Sequence, residues 1–152
     1  MNTLGLRSAP KSVTFAIYNT DQRRILNVEN LIIPIAFARP DALKFIRVNI
    51  LDIIREYQVV KAGVRVAESV AQGDHTERTQ IEGVIQEAFA SSELNSYYIG
   101  QVSNISSKVG FDRRLFKSYV DGDECFNGVE GWEEMNKVQR EAVLCAIGAE
   151  NA

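Results

Sequence analysis

The segment Ser12–Asn19, SVTFAIYN, puts Val13, Phe15 and Ile17 on one face and Thr14, Ala16 and Tyr18 on the other. That is the two-residue period of a β-strand. Turns bracket it. Ser8-Ala9-Pro10-Lys11 precedes it, and proline fixes its own φ while restricting the residue before it. Thr20-Asp21-Gln22-Arg23 follows. With the short apolar run Thr3–Arg7 on one side and Arg24–Ile33, ending at Pro34, on the other, the simplest arrangement is three strands in two antiparallel hairpins.

Beyond Pro34 the periodicity changes. From Pro40 to Gln58, Leu43, Ile46, Ile50, Ile53, Ile54 and Tyr57 recur at helical spacing, opposite Lys44, Arg47, Asp52, Arg55 and Glu56. Pro40 suits the first helical position, and Asp41 carries acidic charge into the first turn. Val59–Ala67 reads as a buried strand and Ser69–Gly73 as a loop. Asp74-His75-Thr76-Glu77 has the form of a helix start, with Asp74 at the cap. That helix runs to about Ser91 and buries Ile81, Val84, Ile85, Ala88 and Phe89. Gly83 within it costs ~1 kcal/mol against alanine, which points to a close backbone approach there. Ser96–Val102 is a fifth strand, Phe111–Val120 a short helix with Leu115, Phe116 and Tyr119 inward, and Asp121–Gly131 a loop. Trp132–Ala149 closes the chain as a helix. Its Ala142, Cys145, Ala146 and Ala149 form a narrow face suited to lying close against a sheet. The order β-β-β-α-β-α-β-α is that of an α/β fold, a five-stranded mixed sheet with helices on both faces.

Composition narrows the function. A length of 152 residues suits one domain, and 45% hydrophobic content fits a folded chain. No apolar run approaches the ~20 residues that a membrane-spanning helix requires. Two cysteines, Cys125 and Cys145, are too few for a disulfide framework or a zinc site, so a reducing, cytoplasmic setting is expected. A net charge of -3 argues against a broad, non-specific phosphate-binding surface but leaves room for a local basic patch.

Three segments resemble the RuvC-like resolvases of the ribonuclease H-like superfamily. Leu4-Gly5-Leu6-Arg7-Ser8 followed by SVTFAIYN resembles their opening pair of strands. Val66-Ala67-Glu68-Ser69-Val70 resembles their second carboxylate segment, and Arg140-Glu141-Ala142 the start of their closing helix. The resemblance implies a ribonuclease H-like fold over the whole chain, and a site in which carboxylates hold two divalent ions about 4 Å apart for phosphodiester cleavage. This sequence departs from that pattern at the first position. Arg7 stands where the resemblance requires an aspartate, and a guanidinium offers no acceptor and does not deprotonate. A positive charge ~4 Å from a divalent ion repels it by roughly 8 kcal/mol at an effective dielectric of 20. Val138, one turn before Glu141, adds no ligand either.

The remaining candidates follow from residue type. Glu68 and Glu141 are the candidate catalytic carboxylates, and Arg7 is expected to bridge them, against the simpler reading that it points to solvent from a strand end. Asp74 and Glu82 are possible additions, against the simpler readings of a helix cap and a surface acid. His75, the only histidine, is a possible base or an incidental helix-start residue. Lys108, Arg113, Arg114 and Lys117 interleave with Phe111, Phe116 and Tyr119, the composition of a single-strand stacking surface. The same aromatics also read as core, with the bases on a solvated face.

The leading expectation is a degenerate member without two-metal activity, cofactor or bound metal, binding nucleic acid or a protein partner. An alternative is a nuclease or resolvase with relocated carboxylates, using Mg²⁺ or Mn²⁺. A further alternative is an assembly protein, perhaps a homodimer, with no nucleic-acid role.

Overall fold

The computed structural model describes residues 1–68 and 72–152. Five strands, β1 (Asn2–Ala9), β2 (Ser12–Asn19), β3 (Arg24–Ile32), β4 (Val59–Arg65) and β5 (Ser96–Gly100), form one sheet in the order β3-β2-β1-β4-β5. The first three pair antiparallel, as expected from their turns. β4 joins β1 in parallel, and β5 joins β4 in parallel. The first hairpin is tighter than the sequence reading. Ala9 pairs with Ser12, so Ser8 and Ala9 remain in the strand and only Pro10 and Lys11 turn.

The side chains of β1, β2 and β4 alternate between two cores. Leu4, Leu6, Val13, Phe15, Ile17, Ala62 and Val64 meet the apolar faces of α1 (Arg39–Glu56) and α2 (Thr76–Ser91). On the opposite face Ala16, Tyr18 and Tyr98 pack with α3 (Val102–Val109), α4 (Phe116–Asp121) and α5 (Lys137–Gly148). The sheet therefore carries helices on both faces.

The small-residue face of α5 does what its composition predicts. A Cβ on Gly5 of β1 would lie 2.0 Å from the Ala142 carbonyl oxygen and 2.2 Å from the Ala146 nitrogen. Only glycine lets the helix backbone come this close to the central strand. Its register partner on β4 is Gly63, where a Cβ would lie 2.3 Å from the Tyr98 ring. The Tyr98 hydroxyl crosses the space so made and donates to the Cys145 carbonyl oxygen at 2.9 Å. Thr3 Oγ1 donates to the Ala146 carbonyl oxygen at 2.6 Å. α5 is thus pinned over β1 at a fixed height.

Several boundaries differ from the sequence reading, each for a local reason. β4 ends at Arg65 rather than Ala67. β5 ends at Gly100, and Val102, expected in that strand, opens α3 instead. The Gln101 N–H donates to Asn104 Oδ1, a short polar signal for the start of α3 that its β-branched residues obscure. The closing helix starts at Lys137, where Asn136 accepts from the Gln139 N–H. Trp132–Glu134 forms a separate 3₁₀ turn, its indole donating to the Tyr119 carbonyl oxygen at 3.0 Å. Phe111–Val120 divides into a 3₁₀ turn, Arg113–Leu115, and α4. The close approach expected at Gly83 is absent: a Cβ there would face open space, so the glycine answers to no neighbour. Of the loop read over Ser69–Gly73, residues 69–71 lie outside the described residues.

Candidate functional site

Two residues beyond the paired glycines, on the same face of the same strands, the register sets Arg7 of β1 beside Arg65 of β4. Both lie at the carboxyl ends of parallel neighbours. Because α5 is held against Gly5, its first turns overhang these ends and bring Glu141 onto the arginines. Arg7 Nε lies 2.5 Å from Glu141 Oε2, and Arg65 Nε lies 3.7 Å from the same oxygen. The three side chains keep only 13%, 7% and 14% of their surface in contact with solvent, in the order Arg7, Arg65, Glu141.

Glu68 follows β4 by three residues and folds back. Its Oε1 accepts from the Val102 N–H at 2.8 Å, at the amino end of α3, and lies 3.3 Å from Arg65 NH1. The expectation that Arg7 bridges Glu68 and Glu141 is therefore half met. Arg7 pairs with Glu141, while Arg65 contacts both acids. Arg65 NH1 also donates to the Val66 carbonyl oxygen, and its guanidinium lies 5.7 Å from the centre of the Phe116 ring.

Glu82 reaches the same corner from α2 on the other face of the sheet. Its Oε1 accepts from Ser8 Oγ at 3.3 Å and from the Ala67 N–H at 3.2 Å, and lies 3.6 Å from Arg78 Nε. It is buried, not the surface acid of the simpler sequence reading. The corner thus contains three guanidiniums, Arg7, Arg65 and Arg78, interleaved with three carboxylates, Glu68, Glu82 and Glu141. Their formal charges cancel.

Electrostatics at Arg7 reflect this crowding. Burial pulls its pKa below the ordinary arginine value, Glu141 opposes the shift, and Arg65 and Arg78 add to it. The reference value is high enough that Arg7 stays charged throughout the physiological range. Arg65 Nε, Arg78 Nε and Glu141 Oε2 are buried without a well-directed hydrogen bond among the described residues. The close Arg7–Glu141 contact is accordingly an ion pair whose geometry departs from that of a linear hydrogen bond.

The other candidates are placed apart from this cluster. Asp74 is exposed, and its Oδ1 accepts from both the Thr76 N–H and the Thr76 hydroxyl, which hold its carboxyl below the usual range. The cap position itself falls to His75, whose side chain makes no capping bond, so Asp74 closes a local turn one residue before it and is not the cap expected from the sequence. A ring nitrogen of His75 contacts the Gln72 carbonyl oxygen. Lys108 donates to the Asn151 carbonyl oxygen and lies 5.2 Å from the centre of the Tyr98 ring. Arg114 pairs with Asp112 at 2.9 Å and Lys117 with Asp121 at 2.5 Å, while Arg113 is exposed. Phe111, Tyr119, Phe126 and Trp132 stack edge-on or tilted against one another at 5.1–6.0 Å and belong to the second core. The aromatics around the basic group therefore face inward.

Sequence reasoning missed Arg65 and Arg78. Arg78 and Glu82 stand one helical turn apart, a visible pairing signal. Nothing local marks Arg65, which becomes Arg7's neighbour only through the parallel register. Among the described residues no group of three or more His, Cys, Asp or Glu side chains is arranged to hold a metal ion. Nor is any of their helices long and apolar enough to cross a membrane.

No protein-family model matches this sequence, and no curated protein matches it in sequence. Solved structures do. Thermus thermophilus RuvC superposes with a TM-score of 0.73 at 11% identity, over 97% of this chain and 92% of that one. The same protein in complex with a Holliday junction substrate superposes with a TM-score of 0.72, again at 11% identity and the same coverage. The fold is ribonuclease H-like, of the RuvC type, and at this identity the similarity speaks for the fold alone.

Proposed function

We propose that this chain is a ribonuclease H-like domain that binds nucleic acid without cleaving it by two-metal chemistry. One observation carries the reading: Arg7 contacts Glu141 at 2.5 Å while Arg65 contacts both Glu141 and Glu68. Two divalent ions need a surplus of oxygen ligands and negative charge. Here every carboxylate of the corner already has a guanidinium within 4.0 Å, so the donor set does not fit them. A Holliday junction lies on the RuvC structure that this fold matches, which supports nucleic acid as the partner class. The overall charge of -3 requires the contact to be local. Lys108, Arg113, Arg114 and Lys117 on the α3–α4 side, the densest basic group in the sequence, are the candidates to provide it.

The test is calorimetry with Mg²⁺ and Mn²⁺ beside cleavage assays on branched and single-stranded DNA and RNA, with gel shifts at two salt concentrations. The expected result is no metal binding, no cleavage, and a shift that weakens steeply with salt. Metal binding that disappears in Glu68→Ala, or cleavage by the purified protein, overturns the reading.

A second reading, a protein-docking module, is favoured by the end of β3 and the segment that follows it to α1. Ile35 is 99% exposed and Ile32 68%, beside a half-exposed Phe37. Exposed apolar side chains gathered in this way are a feature of interaction surfaces. Absence of any gel shift at low salt moves the assignment to this second reading.

A further inference from the structure

We propose that the cleft between the β2–β3 turn and the carboxyl ends of α3 and α5 receives one unpaired guanine base. The inference rests on the nucleic-acid reading above and names the nucleotide taken. It concerns the end of the sheet remote from the arginine corner, since Tyr18 pairs with Thr3 along β1 whereas Arg7 pairs with Thr14.

The cleft has a volume of about 340 Å³, within the range of small-molecule sites. Val109, Phe126, Val129 and Ile147 give it an apolar wall, the kind of surface against which an unstacked base sheds water. Tyr18 also lines it and is only 7% exposed. Outside the sheet ladder, the Tyr18 carbonyl oxygen accepts from Thr3 Oγ1, while its hydroxyl has no hydrogen-bond partner among the described residues. That hydroxyl is not sealed from solvent. Burial and then Glu150 raise its pKa, and Arg23 lowers it. Both of these charged residues line the same cleft, so the unpartnered hydroxyl is turned toward it.

Arg23 and Glu150 have no ion-pair partner among the described residues, and they do not pair with each other. Lys61 bonds to the Glu150 carbonyl oxygen and leaves the carboxylate free. Arg23 holds a φ of +52°, where glycine or asparagine sits at least cost, so the chain places a guanidinium here against its backbone preference. A guanidinium only donates and a carboxylate only accepts. A ligand that satisfies both therefore offers acceptors on one side and donors on the other. Guanine does so: O6 and N7 accept from a guanidinium, and the N1–H and N2–H pair fits a carboxylate. Adenine and the pyrimidines lack that pair of adjacent donors. Lys108 spends one of its three donors on the Asn151 carbonyl oxygen and keeps the others for a phosphate. An adjoining cleft of about 430 Å³ shares Arg23 and Gly128, and it carries neighbouring nucleotides past Arg24 and Glu130.

The test titrates wild type, Tyr18→Phe and Glu150→Gln calorimetrically with guanosine, adenosine and cytidine monophosphates. Two twelve-nucleotide thymidine strands, one carrying a single central guanine, serve as the nucleic-acid probes. The wild type is expected to bind guanosine monophosphate at least tenfold more tightly than the other two, and to prefer the strand with guanine. Tyr18→Phe should weaken guanosine monophosphate at least threefold, and Glu150→Gln should erase the preference among bases. Should either variant not fold, the Tyr18 and Phe126 ring resonances of the wild type replace it, and these are expected to shift on addition of guanosine monophosphate. Equal affinity for the three nucleotides, a preference that survives Glu150→Gln, or ring resonances unmoved at saturation overturns the proposal. A guanine preference among mononucleotides that the strands do not share supports the pocket and makes a free nucleotide its source. Strands that bind equally, with no preference among mononucleotides, overturn the pocket and leave the nucleic-acid reading standing.

Discussion

Two successive rungs of the β1–β4 ladder face α5, and they have opposite characters. At Gly5 and Gly63 the strands carry no side chain, and helix backbone and a tyrosine ring fill the space. At Arg7 and Arg65 the same strands project long cations into a cluster of acids. The first rung is dry packing that tolerates no added atom; the second is an exchange of charge whose partners have slack. Their difference shows how the corner is assembled. The glycine rung fixes the height of α5, and that height delivers Glu141 to the arginines.

Breaking the glycine rung has the largest expected effect. Gly5→Ala drives a methyl group into the Ala142 carbonyl and the Ala146 backbone, atoms that move only with the whole helix. The expected loss is about 3 kcal/mol or more, at the top of the range for overpacking, read from the urea midpoint. A loss below about 1 kcal/mol would mean that α5 is free to ride outward, and that the corner does not depend on its height.

The arginine rung should break more gently. Glu141→Ala leaves Arg7 without its closest acid, and its expected cost is about 2 kcal/mol, reduced from the usual figure for buried pairs by residual exposure. The double variant Arg7→Met with Glu141→Leu should recover much of that loss, since two apolar side chains of similar size leave no orphaned charge. Chemical denaturation of Arg7→Met, Glu141→Leu and the double gives the coupling directly. Strict additivity would remove Arg7–Glu141 as an interacting pair.

The smallest effect sharpens the dry side of the comparison. Cys145 is fully buried, and burial pushes its thiol from 9.0 up to about 12. The folded state thus holds a proton that the unfolded state releases. The contribution is complete below pH 9 and is lost as the pH rises toward 12, with a slope of at most about 1.4 kcal/mol per pH unit. Stability measured from pH 8 to 10.5 should fall more steeply in the wild type than in Cys145→Ala. Parallel curves would place water at Cys145.

Much of the fold was legible because its signals are local. The alternation in Ser12–Asn19, the helical stripe of residues 40–58 and the small face of α5 each follow from contacts that a strand or helix must bury on one side. α3 escaped because β-branched residues so close to a strand read as more strand, and its capping asparagine is a single weak mark. Gly83 misled because a glycine in a helix invites a packing reason, and here there is none. At the site, Arg7, Glu68, Glu82 and Glu141 were all among the candidates, whereas their pairings were not fully foreseen. Glu82 in particular reads along the chain as a surface acid or a possible further carboxylate, because nothing nearby in sequence reveals the Ser8 hydroxyl and Ala67 N–H that hold it.

From the sequence alone came the strands, most of the helices, the fold they build and the presence of a cation where an acid is expected. Tertiary structure decided which acid that cation meets, that Arg65 stands beside it, and that Glu68 turns toward a helix terminus. Periodicity and turn chemistry act between residues a few positions apart, so they leave a trace along the chain. The choice of ion-pair partner is made by parallel register and helix height, and these exist only after distant segments have packed.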